Sequence, residues 1–231
     1  MIQDRRFALI FRVAAFGIAI TGLLAMMGAL KGEIHFGALA FYTMQSNILA
    51  IILFGMLVVR TAIGLREGNK GSVGYYARFE MICTIDIMLT LLVFWILLAP
   101  TLFSMVGEFS MWSFDNLAVH LFTPLLCLVD YILFSPPRHL KYRDVYYVCI
   151  FPIVYLIGTS IAGLLGYVYM IASDGSPMRF PYFFYDFDRI GAVAFIYIGA
   201  LILFFLIIGH VFYFIDKKRR CKNERASTRN S

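Results

Sequence analysis

The second apolar run of the chain, Gly37 to Val59, is broken by FYTMQSNILA (Phe41 to Ala50), which sets Tyr42, Thr43, Gln45, Ser46 and Asn47 among aliphatic residues. Further on, Asn116, His120, Thr123, Cys127 and Asp130 recur at steps of four, three, four and three, the spacing of one helical face. A hydroxyl, an imidazole and several amides are the parts of an acyl-transfer site. A threonine hydroxyl attacks a carbonyl only when a base takes its proton, and histidine is the common base. The oxyanion that forms then needs fixed donors. These residues point to Thr43 as nucleophile and His120 as general base. Gln45, Ser46, Asn47, Asn116 and Thr123 stand as support or oxyanion donors. Asp115 or Asn116 is placed to orient the imidazole, a role open also to Asp186 or Asp188. A plainer reading stands beside this one: a membrane threonine bonds the carbonyl one turn back, and an intramembrane histidine serves as a buried polar contact.

Such residues need a scaffold, and the composition indicates which. The chain has 231 residues, 61% hydrophobic and 15% charged, with a mean hydropathy of +0.80, outside the range of soluble domains. A hydrocarbon core about 30 Å thick is crossed by roughly 20 helical residues. Six runs of that order are present, at 7–30, 37–59, 81–103, 115–134, 146–171 and 191–215. None alternates polar and apolar residues as barrel strands do. The expected architecture is an all-α, polytopic membrane domain of six transmembrane helices over residues 1–216, followed by a basic, disordered tail at 217–231. The first run carries Arg12 and lacks a small-residue cleavage site, so it reads as a helix rather than a signal peptide. Sixteen of the 20 Lys and Arg fall at the two chain ends or in the connections after the second and fourth runs. By the positive-inside rule both termini are cytoplasmic. The net charge of +6 then reads as a topology signal and a contact for anionic headgroups, not as nucleic-acid binding.

Depth connects the two motifs. Counted from the outer side at Gly37, Thr43 lies roughly 9 Å in, and His120, counted from Asp115, roughly 7.5 Å. If the second and fourth helices are neighbours, hydroxyl and imidazole meet just under the outer surface. Asn47 and Thr123 continue the match about one turn deeper.

The other polar residues sort by level. Arg12 lies near the inner face, close enough to snorkel. Asp86 and Asp130 sit at a similar level, which suggests an ion pair locking the inner half of the bundle, with a proton relay as the alternative. The glycine-rich inner connection Arg60 to Glu80 reads as a solvated, mobile loop. Trp112, in the outer segment SMVGEFSMWSF, suits the interfacial belt. So does the outer loop MRFPYFFYDFDR, where Tyr182, Phe183, Phe184 and Asp186, together with Trp112, frame substrate access. The cysteines Cys83, Cys127, Cys149 and Cys221 show no disulfide or metal pattern, and no metal or organic cofactor is called for.

Three segments also resemble a known family. FYTMQSNIL, HLFTPLLCLVDYILF and FPYFFYDF, in this order and spacing, are similar to the prokaryotic branch of the androgen-induced protein family (the androgen-dependent TFPI-regulating proteins included), six-helix membrane proteins. The likeness runs from Gly37 to Ile215. It implies a threonine hydrolase of fatty acid esters of hydroxy fatty acids, with the essential Thr and His at Thr43 and His120, in a prokaryotic cell membrane. The expectation is therefore an esterase of lipid metabolism that takes a lipid-like ester from the outer leaflet. The alternative is a non-enzymatic lipid-binding or proton-coupled transport protein that uses the same polar cavity.

Overall fold

In a computed structural model of the chain, which describes residues 2–70, 73–100, 110–135, 140–172 and 175–229 and side chains as far as 221, six helices are long and apolar enough to cross a membrane. They are α1 (Arg5–Met26), α2 (Tyr42–Arg66), α3 (Ala77–Leu98), α4 (Phe114–Phe134), α5 (Asp144–Leu164) and α6 (Val193–Arg229). The protein is a predominantly helical integral membrane protein. A short antiparallel hairpin, β1 (Met170–Ile171) with β2 (Pro177–Met178), joins α5 to the aromatic loop ahead of α6.

Several boundaries differ from those the hydropathy suggests. α1 starts at Arg5 because the Asp4 carboxylate accepts the free N–H groups of Arg6 and Phe7, an N-cap. α2 starts at Tyr42 instead of Gly37, since Phe36–Ala40 form a 3₁₀ turn and Phe41 is extended. α5 ends at Leu164 because the chain turns into the hairpin. α6 continues to Arg229 through the residues expected to be a disordered tail; from Val211 onward they hold neither Gly nor Pro, so nothing stops propagation. The expected end of the third helix at 103, residues 104–109 of the outer segment and the inner turn at 136–139 lie outside the described residues.

α1 to α4 form the tight part of the bundle, with α1 against α2 and α4, and α3 against α2 and α4. Its lower half is fastened by Arg12, which is 0% exposed and does not snorkel. Its guanidinium donates to both oxygens of Asp130 at 2.7 and 3.0 Å, to Thr61 Oγ1 at 2.6 Å and to the Val73 carbonyl at 2.8 Å. One side chain thus joins α1, α2, α4 and the loop after α2. A charge so enclosed is tolerated because its donors are met by a bidentate carboxylate and neutral oxygens. That loop is not the solvated, mobile connection its glycines suggest. Val73 is buried in it, and the Arg5 guanidinium donates to the Asn69 carbonyl at 2.7 Å and to the Tyr75 hydroxyl at 2.8 Å. Asp86 takes no part in the inner ion pair; the Tyr42 hydroxyl donates to it at 3.3 Å.

α5 meets α2 through long aromatic side chains. The Tyr155 hydroxyl donates to the Ala40 carbonyl at 3.1 Å, and the Tyr42 ring meets Phe151 and Tyr155 at 5.3 and 5.2 Å between centroids. Helices held apart by rings leave a cleft between them, and Thr43 lines it.

Candidate active site

Two prolines shape the site. Pro124 in α4 has no N–H to offer the His120 carbonyl, and its ring crowds that oxygen. α4 answers with a wide π-helical turn over Ala118–Phe122, closed by the Thr123 N–H on the Ala118 carbonyl. α3 does the same ahead of Pro100, with a π turn over Phe94–Leu98 closed by Ala99 on Phe94. Each turn widens its helix by one residue and frees carbonyls, which is why such turns gather at functional sites. Side chains meet both orphans in α4. Trp95 Nε1–H donates to the His120 carbonyl at 3.2 Å, and Asn47 Nδ2 donates to the Val119 carbonyl at 3.1 Å.

The same Asn47 amide reaches the Thr43 carbonyl at 2.8 Å, so one side chain clamps the first turn of α2 to the π turn of α4. The Ser46 hydroxyl approaches the Thr43 carbonyl as well, at 3.0 Å, and lies 2.7 Å from Thr90 Oγ1 on α3. Thr43, the second residue of α2, is thereby held from two sides. Its Oγ1 lies 3.3 Å from His120 Nε2; Thr43 is 9% and His120 4% exposed.

The other face of the imidazole determines what that contact can do. His120 Nδ1 lies 3.2 Å from the Asn116 backbone carbonyl. A carbonyl only accepts, so it fixes the proton on Nδ1 and leaves the Nε2 lone pair toward the Thr43 hydroxyl. The ring plane is held by Phe94, stacked at 3.7 Å and 21°. Hydroxyl, base and an oriented second nitrogen together form the arrangement that activates a nucleophile.

Thr43 also lines a cleft between α2, α3, α5, α6 and the aromatic loop ahead of α6. The walls are apolar apart from a few hydroxyls: Leu89, Val93 and Phe94 on one side, Ile153, Leu156, Ile198 and Ile202 on the other. Ile153 on the cleft wall is also partly exposed. His120 sits behind Thr43, away from the cleft.

The remaining sequence candidates fall in different places. Gln45 Nε2 donates one hydrogen to the Leu39 carbonyl at 3.2 Å; Asn47 spends both amide hydrogens on backbone and Ser46 its hydroxyl hydrogen on the Thr43 carbonyl or Thr90, so neither of these two is placed as an oxyanion donor. Asp115 accepts from the Asn116 N–H, and it is the Asn116 backbone rather than a carboxylate that meets the imidazole. The Asn116 side chain donates to the Met111 carbonyl at 2.7 Å. The Thr123 hydroxyl is buried with no hydrogen-bond partner among the described residues. Trp112 is 70% exposed and meets Trp95 at 5.8 Å, off the cleft. Phe184 and Tyr182 line the cleft, whereas Phe183 turns to Tyr197. Asp186 is buried and caps the turn that follows it by accepting the Asp188 N–H at 3.0 Å, so it belongs to the loop's frame and not to substrate access. Asp188 pairs with Arg179 at 2.5 Å, which holds its carboxyl below the usual range. Phe94 and Trp95 were not singled out by sequence; the signal available was the proline after each π turn.

No family model, curated protein or solved structure matches the chain.

Proposed function

We propose that the protein is an intramembrane hydrolase of lipid esters, with Thr43 as nucleophile and His120 as general base. The observation that carries this reading is the 3.3 Å approach of Thr43 Oγ1 to His120 Nε2, with Nδ1 engaged by a carbonyl, beside an apolar cleft that Thr43 lines. In the first half-reaction Thr43 Oγ1 bonds to the ester carbonyl carbon as its proton passes to Nε2, and the carbonyl π electrons move to oxygen. Collapse of this intermediate breaks the bond to the alcohol, which leaves with the proton from Nε2. Water repeats the sequence on the acyl-threonine and returns the hydroxyl.

The substrate class follows from the resemblance: esters of fatty acids with hydroxy fatty acids, taken from the outer leaflet. The termini and the basic connections are assigned to the cytoplasmic side of a prokaryotic cell membrane by the charge bias. Transport is the second reading, favoured by one observation, a buried Asp86 whose Oδ2 has no hydrogen-bond partner among the described residues. Turnover of a fluorogenic long-chain ester by purified protein separates the two. Loss of turnover in Thr43→Ala and His120→Ala with retention in Asp86→Asn supports hydrolysis. Turnover that survives Thr43→Ala rejects it.

A further inference from the structure

A hydrolase of this kind needs donors for the oxyanion, and the Asn47 amide is committed to backbone carbonyls. What faces the Thr43 hydroxyl instead is the amino end of α2 and one side chain from the aromatic loop ahead of α6. Phe41, the residue before the helix, provides no side-chain cap; its carbonyl accepts the Met44 and Gln45 N–H groups, which leaves those of Tyr42 and Thr43 at the positive end of the helix dipole. The Tyr42 N–H donates to the Tyr182 hydroxyl at 3.0 Å. Thr43, the next residue, presents the following backbone N–H of that first turn. Tyr182 and Thr43 line the same cleft.

The ring of Tyr182 is fixed on several sides. It stacks on Phe184 at 5.2 Å and 5°, and takes the edge of Phe41 at 6.1 Å and 72°. The aromatic loop therefore does more than border the membrane: it delivers one phenol to the nucleophile.

We propose that the Tyr182 hydroxyl, with the backbone N–H of Thr43, forms the oxyanion site of the ester hydrolysis. This rests on the hydrolase reading above. The Tyr42 N–H, by donating to the phenol oxygen, polarises its O–H toward the developing charge. No proton is transferred; the hydrogen bond strengthens as the carbonyl oxygen becomes an oxyanion and relaxes when the intermediate collapses. Burial raises the Tyr182 hydroxyl above its ordinary value, so it stays protonated and able to donate.

Purified Tyr182→Phe is the test, against wild type and Thr43→Ala. Removal of one oxyanion donor lowers turnover by about 100-fold or more. The expectation is that loss in kcat with KM near the wild-type value. A long-chain trifluoromethyl ketone, which forms a tetrahedral adduct on the nucleophile, loses affinity in parallel with kcat, while an ether analogue of the ester does not. Wild-type kcat in Tyr182→Phe, or equal loss of affinity for ketone and ether, overturns the assignment. Activity that survives Thr43→Ala overturns the hydrolase reading itself, so the two failures are distinct. If Tyr182→Phe does not fold, 3,5-difluorotyrosine at position 182 keeps the shape and makes the phenol more acidic. The alkaline limb of kcat/KM then moves to lower pH, and an unmoved limb overturns the proposal.

Discussion

Gly22→Ala places a methyl group where α1 crosses the π turn of α4. The added Cβ would lie 2.5 Å from the Ala118 Cβ, against the roughly 3.5–4.0 Å at which carbon atoms rest in contact. The helices must part there by about 1 to 1.5 Å. His120 is two residues from Ala118, and its contact with Thr43 is 3.3 Å. A displacement of that size takes the pair beyond hydrogen-bond reach. Misplacing a reacting group by about 1 Å costs on the order of 100-fold in rate, and overpacking costs about 1–3 kcal/mol of stability. The assay is kcat/KM on a fluorogenic long-chain ester beside the melting temperature in detergent. Ala118→Gly in the Gly22→Ala background removes the opposing methyl and restores most of the rate. Full activity in Gly22→Ala, or a double variant no better than the single one, refutes the claim that this crossing sets the position of His120.

Pro124→Ala returns an N–H to α4; the π turn relaxes toward a regular helix, so the variant melts at or above the wild-type temperature while turnover falls about 10-fold or more, His120 having rotated from Thr43. Asn47→Leu breaks the clamp between the Thr43 and Val119 carbonyls; the Thr43 carbonyl keeps the Ser46 hydroxyl, but the Val119 carbonyl is left unpaired, at a cost of about 1–3 kcal/mol, read in thermal melts together with a lower kcat. Arg12→Met leaves Asp130 as a buried carboxylate without its cation and destabilises the bundle by about 3–5 kcal/mol. Arg12→Met with Asp130→Leu recovers most of that loss, measured by reversible unfolding in mixed micelles.

The reading from sequence found the spans because a membrane helix must be apolar over its length, and it found Thr43 and His120 because hydroxyl and imidazole are conspicuous in such runs. The depth argument began α2 too early, yet still brought the two residues to one level. A 3₁₀ turn such as Phe36–Ala40 advances about 2 Å per residue, so the chain descends at nearly the same pace before the helix starts. Burial of Arg12 was hidden because residue counting gives level and not direction, and its partners come from three other segments. The roles of Asn47 and Trp95 were hidden for a different reason. They serve carbonyls that exist as orphans only because of the π turns, and hydropathy carries no sign of a π turn. The marker was HLFTP, a proline inside a span, read there as part of a motif and not for its effect on the carbonyl four residues back. Tyr182 was placed at the membrane interface with its neighbours; only the fold brings its hydroxyl to the start of α2.

The most direct measurement is the site of covalent modification by a long-chain fluorophosphonate. Purified protein is labelled, digested and mapped by mass spectrometry beside His120→Ala. The account predicts a phosphonate adduct on Thr43 in the peptide spanning FYTMQSNIL, formed by wild type and lost or strongly slowed in the His120 variant. An adduct on another residue, or one on Thr43 formed at the same rate without the imidazole, contradicts it.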